Sequence, residues 1–309
     1  MKIGNYNLSY LESAMSAEGC SDMWNIDATK LKSETNIVTS RKVGATDEKN
    51  KDNEDVEQYE FIIIPNIGFL SGSDPLLKDL TLKLKFDRAD TKIALINIID
   101  QDDANLPDVL EITNAVATTE WVSSPALRSY MVNDSSPFVY SYEDVDVKTF
   151  DLPVNRLSFR LENVYGGNLP LYIFAGIIET DALVGDTSKS STKFMCHDVS
   201  EFNIMVNGSS VNGYPIKLNG TSPIAPYHRF LDTTHRMCNL DSGESINIPE
   251  FKYNWLWSHK FEAEGTEGFI SLSCNLKNAY TTNMTMVVWT VYPYAVSIDK
   301  FNQIEKIML

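Results

Sequence analysis

The chain has 309 residues, 43% hydrophobic and 11% aromatic, enough to bury one large core or two ordinary ones. Its 26 basic and 42 acidic side chains leave a formal charge of −16; such a surface repels phosphate and argues against a direct grip on nucleic acid. Cysteines at positions 20, 196, 238 and 274 lie too far apart for a disulfide framework, and neither a membrane span of about 20 apolar residues nor a signal-peptide core is found.

In chain order, Leu8, Leu11 and Met15 fall on one helical stripe, with Glu12 and Glu18 outside it. This spacing predicts a helix over residues 7–18, stopped at Gly19. Residues 33–57 turn polar and end in a charge run from Asp47 to Glu57, which predicts a solvated acidic loop. Strands follow. Residues 59–65 are nearly all apolar, and residues 80–86 alternate strictly, so one face is buried and one wet. Residues 92–99 and 109–122 are further candidates. Residues 138–150 set Phe138, Tyr140 and Tyr142 against Val139, Ser141 and Glu143. Residues 156–161 lead to Gly166-Gly167, a tight turn needing positive φ.

The second half begins at Pro170. Residues 171–179 are continuously apolar, which fits a strand buried on both faces. Phe202, Ile204 and Val206 alternate, and Asn207-Gly208 is a strong hairpin signal. Pro226 opens one or two helical turns to His235, with Tyr227, Phe230 and Leu231 on one face. Residues 255–261, 269–276, 285–292 and 295–301 complete the strands. Short strands with Gly, Pro and Asn turns argue for a β-sandwich.

Little here carries chemistry. The four histidines, His197, His228, His235 and His259, include no His-x-His pair for a cupin-type metal site. Cys196-His197 and His235-x-x-Cys238 match no zinc-module spacing, and no nucleophile elbow appears. No catalytic residue, metal or cofactor is therefore expected. The sequons at Asn7, Asn133, Asn207, Asn219 and Asn283 read as ordinary turns. Trp255 and Trp257 share one strand face and pack either in the core or against a partner. With Tyr227 and Phe230 they form the candidate subunit interface.

The order of these segments resembles that of double jelly-roll major capsid proteins, those of Polinton (Maverick) elements and adintoviruses above all. Residues 9–15 resemble the helical segment that follows the first strands of the family's N-terminal jelly roll. Residues 76–88, with Ala94-Leu95 beyond, resemble its alternating strand and Arg-containing turn. Residues 121–128 stand where its next long strand lies. Residues 163–185 are similar to the crossover into the second jelly roll, and residues 227–232 to a short helix within it. Several strands that precede the helix in the family have no counterpart before residue 7.

The resemblance implies an all-β fold of two jelly-roll β-sandwiches in tandem. The N-terminal one, residues 1–165 with the acidic loop 33–57, is truncated; the C-terminal one is residues 166–309. It further implies a hexon-like, non-enzymatic shell protein of a DNA virus or integrated element. Three copies would form a pseudo-hexameric capsomer, which joins other capsomers and minor capsid or penton proteins. Its place is the virion, with synthesis in the host cytoplasm and assembly in the nucleus. The alternative is a lectin-like carbohydrate-binding jelly roll, which would carry exposed aromatics beside acids on a concave face.

Overall fold

The computed structural model describes residues 40–42, 59–61, 137–186, 189, 194, 198–218, 223–234, 248–251, 256–262, 266–299 and 303–308. The expected helix at 7–18, most of the acidic loop at 33–57 and the strands at 80–86, 92–99 and 109–122 lie outside these residues. In the first half, β1 (Ser40–Lys42) and β2 (Tyr59–Phe61) pair antiparallel. β1 therefore falls within the stretch expected to be loop; at three residues it is too short for alternation to reveal it.

Two larger sheets account for the rest. In chain order the strands are β3 (Phe138–Leu152), β4 (Ser158–Asn168), β5 (Tyr172–Glu179), β6 (Val199–Val206), β7 (Ser209–Ser210), β8 (Ile216–Lys217), β9 (Trp257–Lys260), β10 (Glu267–Leu276), β11 (Met284–Ile298) and β12 (Ile304–Met308). Three short helices intervene: α1 (Thr180–Val184), α2 (Ile224–Thr233) and α3 (Ile248–Phe251). One sheet runs β3-β11-β5-β9, with β12 paired to β11 beyond the end of β5. The other runs β4-β10-β6, with β7 and β8 both on β6. All of these pairs are antiparallel. Taking β7 and β8 as one interrupted strand, the sandwich has eight strands in the order 1-8-3-6 over 2-7-4-5. This is the double Greek key of a jelly roll.

The boundary expected at 165/166 falls inside β4. β3 and β4 pair with β11 and β10, so the sandwich takes its first two strands from residues assigned to the first domain. Gly167 does hold φ +105, but it sits in the last residues of β4, paired with Gly268, and not in a loop. Beneath it in the sequence, Gly166 leaves room for the Phe269 ring, 2.7 Å from where a Cβ would lie. Asn207 and Gly208, at φ 51 and 82, make the expected hairpin from β6 into β7.

Burial follows the apolar runs. In β5 every residue from Ile173 to Ile178 is buried, as its unbroken apolar sequence requires. β11 is buried from Met284 to Val291 and hydrogen-bonded along both edges. Residues 285–292 and 295–301, read as two strands, are one strand from Met284 to Ile298. Pro293 does not break it: the proline sits where β5 has ended and β12 has not begun, so on that edge no partner is paired with it.

Gly176 of β5 marks the tightest packing. A Cβ there would lie 2.5 Å from the Phe194 ring and 2.7 Å from Leu256, both fully buried. Both neighbours are held inside the packed interior. Gly176→Ala is expected to lower stability by about 1–3 kcal/mol through overpacking. The check is urea unfolding, where the midpoint should fall at an unchanged slope.

Candidate assembly surfaces

α2 packs on β9, and its aromatic face is set by the Pro226-Tyr227-His228-Arg229-Phe230 spacing. Phe230 points inward and is 1% exposed, while Tyr227 is half-buried. Both rings rest on Phe251 of α3, at centroid distances of 5.2 and 5.1 Å. Trp257 opens β9 and is 0% exposed; it stacks on Phe202 of the facing sheet, 4.6 Å away with an interplanar angle of 14°. Trp255 lies outside the described residues.

Two of the four residues expected at a subunit interface are thus buried within their own chain. Phe230 and Trp257 are covered by their own chain, and a side chain without exposed area cannot supply contact area to another copy. The aromatic spacing was right about a shared apolar face, but that face turns toward β9 and the core. Tyr227 remains at the surface.

Next to this packing, His259 of β9 stands edge-on to Tyr214 and Phe261, at 5.9 and 4.9 Å. Burial lowers its pKa to about 4; the Arg229 guanidinium adds to the effect and Asp232 opposes it. The Tyr214 hydroxyl donates to the Ser258 carbonyl at 2.7 Å, and burial raises its pKa. Among the described residues no group of three or more His, Cys, Asp or Glu could hold a metal. Tyr214, His259 and Phe261 belong to the buried packing beneath α2.

On the opposite side, β3 and β4 are edge strands: among the described residues each pairs with a single neighbour. Lys148 of β3 bridges the two sheets there, donating to the Val164 carbonyl at 3.0 Å and lying 4.1 Å from the Tyr165 ring centroid. Glu143, Asp144, Asp146 and Asp151 give β3 the charges that discourage strand addition at an open edge.

At its far end the larger sheet forms a three-stranded ribbon of β3, β11 and β12. Register places Phe138, Tyr140 and Tyr142 beside Ile298, Val296 and Tyr294, and these beside Ile304, Lys306 and Met308. Tyr142 and Tyr294 stack at 6.0 Å, and the Lys306 ammonium lies 3.9 Å from the Tyr294 ring. Lys306 also pairs with Asp144 at 2.6 Å. Burial works against its charge, but the hydrogen bonds to Asp144 and Tyr142 outweigh that, and the pKa is raised.

No family model and no curated protein matches the sequence. Among solved structures, a chain of the Sputnik virophage cryo-EM structure is similar at 12% identity and TM-score 0.35, covering 56% of this chain and 39% of that one. The PBCV-1 virus capsid is similar at 8% identity and TM-score 0.36, covering 56% and 52%. The mavirus major capsid protein is similar at 8% identity and TM-score 0.37, covering 61% and 44%. The likeness is to viral capsid structures, and the match spans about half of their length or less.

Proposed function

We propose that this chain is a major capsid protein of the double jelly-roll type, the structural unit of a viral or virus-like shell. The supporting observation is the strand order. Residues 138–298 adopt the 1-8-3-6 over 2-7-4-5 sandwich that the sequence resemblance implies for the second half of such a protein. In this proposal the residues before Phe138 belong to a second sandwich, and three copies close into a pseudo-hexameric capsomer. Such rings need heterologous contacts that close, each burying on the order of 1,000 Å² or more. The acidic edge of β3 favours side-chain packing between copies over strand addition.

The role is structural and not catalytic, and its partners are further copies and minor shell proteins in the virion. The lectin-like alternative needs exposed aromatics, and Phe230 and Trp257 are buried. Light scattering on a size-exclusion column tests the capsomer. The expected mass is three times the 34.8 kDa of one chain, or larger assemblies built from that unit. A stable monomer at micromolar concentration would overturn it.

A further inference from the structure

We infer that the cleft between β8 and the first two turns of α2 binds an oxyanion, a phosphate or carboxylate group held by Arg229, Lys217 and His228. The cleft has a volume of about 550 Å³. Gly213, Lys217 and Leu218 wall one side, and Ile224, His228 and Arg229 the other. Among the described residues that line it, every ionisable side chain is basic. The chain as a whole has 42 acidic and 26 basic side chains, so three bases and no acid around one hollow reverse its balance. The net negative charge repels anions from a distance, but salt screens that repulsion over about 10 Å. Contacts inside the cleft then decide what settles there.

Arg229 is the decisive residue. Its side chain is partly buried and crosses from α2 to the turn before β8. There it lies over Gly213, and a Cβ at that position would overlap the guanidinium. Gly213 also holds φ +81, a backbone that a side chain would strain. Among the described residues the guanidinium has no ion-pair partner and no hydrogen-bond acceptor. Asp232, three positions further along α2, does not pair with it, and Glu201 is drawn to Lys217 instead, at a loose 3.7 Å. The charge is felt nearby, where it adds to burial in opposing protonation of His259. A guanidinium partly withdrawn from water, its fork of N–H donors unmatched by protein acceptors, is stabilised when two anionic oxygens meet it. The Lys217 side chain is 69% exposed, so its ammonium is free to turn inward. Exposed His228 adds a ring N–H donor. Leu218 and Ile224 supply apolar wall, which strengthens each polar contact by keeping water away.

Isothermal titration of the full chain with inorganic phosphate, at constant ionic strength set with chloride, tests this. The expected result is saturable binding of one phosphate per chain. Arg229→Gln should weaken it about tenfold or more, the cost of losing charge-assisted hydrogen bonds, and Lys217→Gln by a smaller factor. Lys217 is exposed, so its variant keeps the test open should Arg229→Gln fail to fold. Arg156→Gln removes the same charge from the exposed turn between β3 and β4 and should leave binding unchanged. Absence of saturable binding, or equal weakening by all three variants, would overturn the inference. Light scattering with and without phosphate then identifies the source of the oxyanion. An unchanged mass assigns the site to the free ion. A mass lowered by phosphate, and lowered likewise by Arg229→Gln, assigns it to a carboxylate of a second copy. The capsomer is judged on the mass without phosphate, so the two readings fail separately.

Discussion

Trp257→Ala will destabilise the chain by about 3–5 kcal/mol, the usual cost of truncating a large buried aromatic. The indole is fully enclosed, with Phe202 across the sandwich and Ala175 beside it in register on β5. Removing it leaves a cavity walled by strands of both sheets, and sheets tied by backbone hydrogen bonds collapse poorly into such a space. The measurement is urea unfolding followed by circular dichroism, alongside oligomeric mass. Stability should fall sharply while any assembly that survives keeps its stoichiometry. Were Trp257 a subunit contact, the pattern would invert, with association lost and monomer stability kept. Tyr227→Ala is the companion variant. Its ring is only half-buried, against Phe251 and the edge of the core, so its loss should cost the fold less than that of Trp257.

The second large effect depends on pH. His259 is held neutral in the fold, its pKa lowered to about 4 from 6.5. Below pH 6.5 the unfolded chain takes up a proton that the folded chain refuses. The stabilisation is therefore complete above pH 6.5, is lost progressively as pH falls, and is fully gone below about pH 4. The full shift corresponds to roughly 3 kcal/mol, less whatever solvent screening of the partly buried ring removes. His259→Phe keeps a ring against Tyr214 and Phe261 and removes the titration. Carboxylates titrate in both proteins, so the difference between their unfolding free energies at pH 7.5 and pH 4.5 isolates His259. Parallel profiles for the two proteins across that window would show that the imidazole is not held neutral.

How far the fold could be read in advance depended on local signals. The alternation of residues 138–150, the unbroken apolar run of β5 and the Asn207-Gly208 turn each determine a strand or hairpin by short-range sterics and one-sided burial. Gly166-Gly167 misled because a glycine pair looks the same in a turn and at a strand end relieved for an overlying ring; only Phe269, about a hundred positions away, decides between them. Pro293 suggested a break because its neighbours in space, the end of β5 and the start of β12, do not show in its neighbours in sequence. The burial of Phe230 and Trp257 was hidden for a related reason. Spacing shows that Tyr227 and Phe230 share a helix face, yet whether that face meets its own chain or another is set by tertiary packing. His259, one strand residue among others in the sequence, owes its lowered pKa to burial beside the Tyr214 and Phe261 rings and to Arg229.

β11 is bonded on one edge to β3 along its whole length and on the other to β5 and β12. During translation β3 and β5 emerge long before it does. At a ribosomal pace of roughly 5–20 residues per second, β3 waits on the order of ten seconds for the strand that completes it. Through that interval β3 and β5 have no partner to hold them together, and the apolar face of β5 stands ready to pair with a neighbouring nascent chain. Productive yield should therefore be limited at synthesis and not in the finished protein, with slower aggregation and better recovery when elongation is coupled to chaperone holding or carried out in the cold.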